Sequence, residues 1–161
     1  MTENTAFETA NAVVDKLIEK GWTISFAESC TGGMACARLV DVPNASKVLN
    51  ASFVTYANEA KENLLGVSRE TLNTFGAVSE ETACQMAAGV AKANRAQVGV
   101  GITGIAGPGG GTDEKPVGTV CFGFSVNGTV TTETVRFGDL GRAAVRTAAV
   151  DHVFETLNRL L

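Results

Sequence analysis

The 161-residue sequence is short of imidazole: it has one histidine, His152, together with one tryptophan and one tyrosine. A single histidine excludes a His-pair metal site and any motif that needs two imidazoles. Three prolines and no biased tract leave nothing that reads as a linker or a low-complexity segment. Cys30, Cys36, Cys84 and Cys121 contain no C-x-x-C pair, so neither a disulfide framework nor a zinc knuckle is indicated. They read as reduced thiols, which predicts a cytoplasmic protein. No signal peptide is visible at the N-terminus, and no run approaches the roughly 18 apolar residues of a membrane span. Positive charge is also scarce, with 13 Lys and Arg against 17 Asp and Glu, a formal net charge of −4. With no basic stripe of interleaved aromatics, the expectation is no nucleic-acid and no membrane partner. Hydrophobic residues at 45% and charged residues at 19% describe a globular chain, and the length predicts one domain over residues 1–161.

Glycine is what the sequence has in quantity, 18 in all, seven of them between Gly99 and Gly111. Hydrophobic spacing predicts a helix over residues 5–20, a strand over 23–27, a helix over 34–40 and a strand over 52–56. Helices follow at 59–65, with Asn58 as its cap, at 69–75 behind Ser68, and from Ser79 to Asn94. A strand over 97–103 leads into the glycine loop. Residues 117–126 and 129–137 alternate around Asn127-Gly128, a strong hairpin signal. A final helix covers 141–161. This order predicts an α/β fold, a three-layer α/β/α sandwich with a mixed, mainly parallel sheet containing a hairpin. The hairpin would leave a sheet edge open, which favours a homodimer.

Ligands of open α/β sheets sit beyond the carboxyl ends of the strands. Three unusual segments fall there: Glu28–Gly33, Tyr56–Lys61 and Thr103–Gly111. Ser29 stands at a strand-to-helix junction before Thr31, Gly32 and Gly33, whose amides would suit an oxyanion or a phosphate. Equally, Ser29 or Thr31 is simply a helix cap. Cys30 is a rival nucleophile. A serine needs a base, and His152 lies far along the last helix, where a lone imidazole is usually packed. Lys61 serves only if burial lowers its pKa; otherwise it is a surface charge. Tyr56 reads either as an orienting group or as a strand-end packing residue. The glycine loop lacks Gly-Lys-Ser/Thr and is no P-loop. It is either an anion cradle or a flexible turn. Arg142 and Arg146, one turn apart near a helix N-terminus, oppose the helix dipole, which suggests either a phosphate ligand or a surface ion pair.

Five segments in order resemble the CinA C-terminal domain family. They are Ala27-Glu28-Ser29-Cys30-Thr31-Gly32-Gly33, Phe53-Val54-Thr55-Tyr56-Ala57-Asn58-Glu59-Ala60-Lys61, Gly76-Ala77-Val78-Ser79, Gly104-Ile105-Ala106-Gly107-Pro108 and Lys115-Pro116-Val117-Gly118-Thr119-Val120. The resemblance implies a stand-alone amidase. It would hydrolyse nicotinamide mononucleotide to nicotinic acid mononucleotide and ammonia, in pyridine nucleotide recycling, with no metal and no cofactor. It implies Ser29 as nucleophile, Lys61 as base and Tyr56 as a further catalytic residue. Thr31, Gly32, Gly33, Asn58, Thr103, Gly104, Gly107, Arg142 and Arg146 are the expected contacts to a small nucleotide substrate. Two departures from the family pattern stand out: where the family shows Gly-Asp-Arg followed closely by Val-Arg or Ile-Arg, this sequence has Gly138-Asp139-Leu140-Gly141-Arg142 with Val145-Arg146 after it, and Gly109 stands where many relatives have aspartate. A non-catalytic nucleotide-binding or regulatory module, which would not require the Ser29–Lys61 pair, is the competing expectation.

Overall fold

A computed structural model of the protein describes residues 2–161. Its elements run α1 (Glu3–Lys20), β1 (Ile24–Glu28), α2 (Met34–Val40), a 3-10 turn (Ala45–Lys47), β2 (Phe53–Val54), α3 (Asn58–Leu65), α4 (Arg69–Phe75), α5 (Glu80–Asn94), β3 (Val98–Gly104), β4 (Thr119–Val126), β5 (Thr129–Arg136) and α6 (Arg142–Leu160). The helix ends carry their physical reasons in the sequence. Gly21 ends α1 in the left-handed region, at φ 64°. The Ser68 and Ser79 hydroxyls accept from the Thr71 and Thr82 amides at 3.0 and 3.1 Å, closing the first turns of α4 and α5. Asn127 and Gly128 turn the hairpin with φ of 49° and 84°, the mirror-image turn that matches strand twist.

The five strands lie in the order β2-β1-β3-β4-β5. β1 pairs in parallel with β2 and β3, whereas β3–β4 and β4–β5 are antiparallel, so β4 alone runs against the others. On one face, α1, α2 and α6 pack over Ile24, Phe26, Val98, Val100, Ile102, Phe122 and Phe124. Each such fully buried large side chain contributes about 1.5–3 kcal/mol. On the other face α5 lies directly on the sheet, with α3 and α4 against it.

That close approach is where several glycines act. A Cβ on Gly99 would stand 2.2 Å from the Ala87 carbonyl oxygen, and one on Gly101 would stand 2.5 Å from that of Ala83. These two glycines therefore seat α5 on β3 and form no part of an anion cradle. Two local expectations also change. β2 is only two residues long: before it the Ser52 hydroxyl takes the Phe26 amide, and after it Thr55 makes one last bond, to the Glu28 carbonyl, before the chain turns into α3. Asn58 is the first residue of α3 and not its cap; Ala57 occupies the cap position, with no side-chain hydrogen bond.

The pairings Glu28↔Val54 and Glu28↔Ile102 bring the carboxyl ends of the three parallel strands side by side. Ser29, Thr55–Tyr56 and Gly104 thus emerge at one place. No helix among the described residues is long and apolar enough to cross a membrane.

Candidate active site

A pocket of about 210 Å³ opens at these strand ends. Ser29 and Cys30 line it from the β1–α2 turn, Tyr56, Asn58 and Lys61 from α3 and its approach, and Thr103 and Gly104 from the end of β3. Arg142, at the start of α6, closes the list of expected residues that reach it.

At its floor, Lys61 Nζ lies 3.2 Å from Ser29 Oγ. Lys61 is 1% exposed, and its other partners are the carbonyl oxygens of Thr55 at 2.9 Å and Tyr56 at 3.5 Å. Among the described residues no carboxylate pairs with it. Burial pushes the Lys61 pKa below the ordinary lysine value, opposed to a smaller degree by the neighbouring Cys30 thiol. A neutral amine has two N–H bonds and one lone pair. In that form, with the two carbonyls taking the N–H bonds, the lone pair would face the Ser29 hydroxyl.

Burial works against Cys30 as the rival nucleophile. It is 6% exposed, and its pKa is pushed up to about 12, chiefly by burial, so the thiol keeps its proton at neutral pH. His152, by contrast, lies outside the pocket lining: its Nε2 lies 2.7 Å from Glu133 Oε1, and its ring packs on Phe122 and Phe137.

The turn after Ser29 departs from expectation. Two of its amides are already occupied: Gly32 N–H donates to the Ser29 carbonyl at 3.1 Å and Gly33 N–H to Glu28 at 3.0 Å. Thr31, Gly32 and Gly33 lie outside the pocket lining, and the Thr31 hydroxyl donates to Glu28 at 2.6 Å. A different donor stands at the pocket. On the β1 side of β3 the last rung is Ser29 N–H to the Ile102 carbonyl, at 2.9 Å. The next N–H on that side belongs to Gly104, which lines the pocket past the end of β1. Thr103 is held in place by its hydroxyl, which donates to the Ala77 carbonyl at 2.7 Å.

The arginines separate. Arg142 donates to the Tyr56 phenol oxygen at 2.9 Å and to the Gly107 carbonyl at 2.8 Å, at the exposed rim. Gly107 therefore meets the site through Arg142 and does not line it. Arg146 is absent from the lining and bonds the backbone behind the Ser29 turn. Tyr56, 61% exposed as a residue, also divides its duties, since its carbonyl faces Lys61 while its phenol oxygen meets Arg142.

Sequence reasoning missed Glu28 as a working residue. Its carboxylate is 1% exposed and accepts from the Thr31 hydroxyl and the amides of Gly33, Ala35 and Cys36, the last two at 3.1 and 2.9 Å. It thereby ties the turn and the start of α2 to the end of β1. An acid closing a fully buried strand just before a helix is the signal that marks it. Glu28→Gln keeps the size but sets an amide donor against backbone donors. It is expected to lower unfolding free energy by about 2–3 kcal/mol, measured by urea denaturation.

Comparison with known proteins fixes the ancestry. The profile of the CinA C-terminal domain matches residues 6–161. The chain belongs to the CinA C-terminal domain family. It is 48% identical over 149 residues to a CinA-like protein of Kosmotoga olearia, covering 92% of this chain and 36% of that one. A competence-damage inducible protein of Clostridium acetobutylicum is 51% identical over 144 residues, 89% of this chain and 34% of that one. The chain thus spans about a third of the length of these curated relatives. Among solved structures, the competence/damage inducible protein CihA of Agrobacterium tumefaciens superposes with a TM-score of 0.93 at 46% identity, covering 96% of this chain and 94% of that one. A CinA superfamily protein of Escherichia coli gives a TM-score of 0.94 at 34% identity, over 100% and 94% of the two chains.

Proposed function

We propose that the protein is an amidohydrolase that converts nicotinamide mononucleotide and water to nicotinic acid mononucleotide and ammonia, in pyridine nucleotide recycling. The observation that carries the reading is the buried Lys61 amine 3.2 Å from Ser29 Oγ, in a pocket at the strand ends. Lys61 takes the Ser29 proton as Oγ attacks the amide carbon. The Gly104 N–H supports the developing oxyanion; one such donor contributes about 3 kcal/mol to barrier lowering. Lys61 returns the proton to the amide nitrogen, the C–N bond breaks and ammonia leaves. Water then gives a proton to Lys61 and attacks the ester carbon. Ser29 leaves with that proton, and the carboxylic acid product is released.

The choice of nucleotide rests on family resemblance and on the shape of the pocket. About 210 Å³ is below the roughly 300–1,000 Å³ of sites that enclose a whole drug-sized ligand. It accommodates an amide-bearing ring, with ribose and phosphate extending over the rim toward Arg142. Asn58 and Thr103 lie on the walls beside the ring.

The direct test is ammonia release from nicotinamide mononucleotide by the purified chain, with nicotinic acid mononucleotide identified as the co-product. Binding without either product would instead favour a nucleotide-binding module. Arg142→Ala is expected to raise KM by about ten-fold or more, the loss of one charge-assisted hydrogen bond, with kcat nearly unchanged in steady-state kinetics.

A further inference from the structure

We propose that Arg146 is a positioning residue that holds the nucleophile turn in its reactive shape from behind. The inference rests on Ser29 being the nucleophile, as in the reading above. Three observations carry it. Arg146 Nε donates to the Cys30 carbonyl at 3.0 Å, and Nη2 donates to the Thr31 carbonyl at 2.9 Å. A Cβ on Gly32 would lie 3.4 Å from Nη2, so the guanidinium sits directly against the turn. The residue is half-buried and takes no part in lining the pocket.

The turn needs such a hold. Gly32 and Gly33 adopt φ of 60° and 99°, and paired glycines have little stiffness of their own. Glu28 takes the hydroxyl of Thr31 and three amides further along the turn and helix. Arg146 takes the two carbonyls that immediately follow Ser29. The turn is thus gripped by an acceptor on one set of groups and a donor on the other. In a trans peptide the carbonyl and the next amide point in opposite directions. Fixing the Cys30 and Thr31 carbonyls therefore fixes the amides of Thr31 and Gly32, and the latter donates to the Ser29 carbonyl. The Ser29–Cys30 peptide is set in this way, while the sheet holds the peptide before it through Ser29 N–H and the Ile102 carbonyl, and together they set the direction of Oγ toward Lys61.

The fork geometry is essential. A planar guanidinium bridges two successive carbonyls, whereas an ammonium is a point donor. The contact also explains a cation near the N-terminus of α6, where the helix dipole disfavours it.

The test compares wild type, Arg146→Ala and Arg146→Lys in steady-state kinetics on nicotinamide mononucleotide, with thermal melts beside them. Arg146→Ala is expected to lower kcat by about 100-fold, as for a small misplacement of a reacting atom, with KM and the acid limb of the pH profile little changed. Added guanidinium ion at millimolar concentration is expected to restore part of that kcat. Arg146→Lys is expected to stay folded and yet recover little. Should Arg146→Ala fail to melt cooperatively, Arg146→Lys decides: wild-type kcat in that variant overturns the proposal. A raised KM with wild-type kcat in either variant also overturns it, because that marks a substrate ligand. The rate at which a fluorophosphonate labels Ser29 separates this inference from the choice of substrate. If wild type labels but releases no ammonia, the assigned reaction fails while slower labelling of Arg146→Lys still supports the clamp. Equal labelling rates reject the clamp.

Discussion

Ser29→Ala is expected to lower ammonia release from nicotinamide mononucleotide by on the order of 10⁴- to 10⁶-fold, measured as initial rate against wild type. The size follows from covalent catalysis: without Oγ no acyl-enzyme forms, and only the pocket and its donors remain. The fold is expected to survive. Ser29 makes its structural bonds through the backbone, N–H to Ile102 and carbonyl to Gly32, and both remain in alanine. The lost hydroxyl contact to Lys61 is a single hydrogen bond, a change of about 1 kcal/mol in urea denaturation. A variant that keeps turnover within a few-fold of wild type places the nucleophile elsewhere; Cys30, with its pKa near 12, is not a ready substitute.

Lys61→Met is the second large effect. It keeps the buried aliphatic stem and removes the base, and kcat/KM is expected to fall by about 10²- to 10⁴-fold. The pH dependence carries the sign of the burial. Because the folded-state pKa of Lys61 is lowered, the amine becomes neutral, and able to take the Ser29 proton, below the ordinary lysine pKa of about 10.4. The rate is expected to rise with pH through that lowered value. Stability moves in the same direction. Between the lowered folded pKa and the ordinary unfolded one, the unfolded chain binds more protons, so unfolding free energy increases with pH over that window. In Lys61→Met this rise disappears. A melting series over pH and a kcat/KM profile therefore report the same group, and a wild-type acid limb retained by Lys61→Met would assign the base to another residue.

The layers of the fold were legible because each element carries its own signals. Ser68, Ser79, Gly21 and Asn127-Gly128 mark ends and turns through local chemistry that tertiary contacts do not override. The length of β2 is not legible locally, because one end is set by the Ser52 hydroxyl meeting Phe26, a contact between distant segments, and the other by the turn into α3. At the site, Ser29 and Lys61 were found from motifs, but their burial and their 3.2 Å approach arise from strand register. The role of Glu28, and the separation of Arg142 from Arg146, depend on which way side chains and peptide planes face. Gly99 and Gly101 show the same limit: composition marks them as special, while only packing reveals that their neighbour is α5.

The most direct measurement is the mass of the peptide containing Ser29 after acid quench during turnover of nicotinamide mononucleotide. The account predicts an ester adduct on Ser29, equal in mass to the substrate less ammonia, present in wild type and absent in Ser29→Ala. Ammonia release with no adduct, or with the adduct on Cys30, would contradict it.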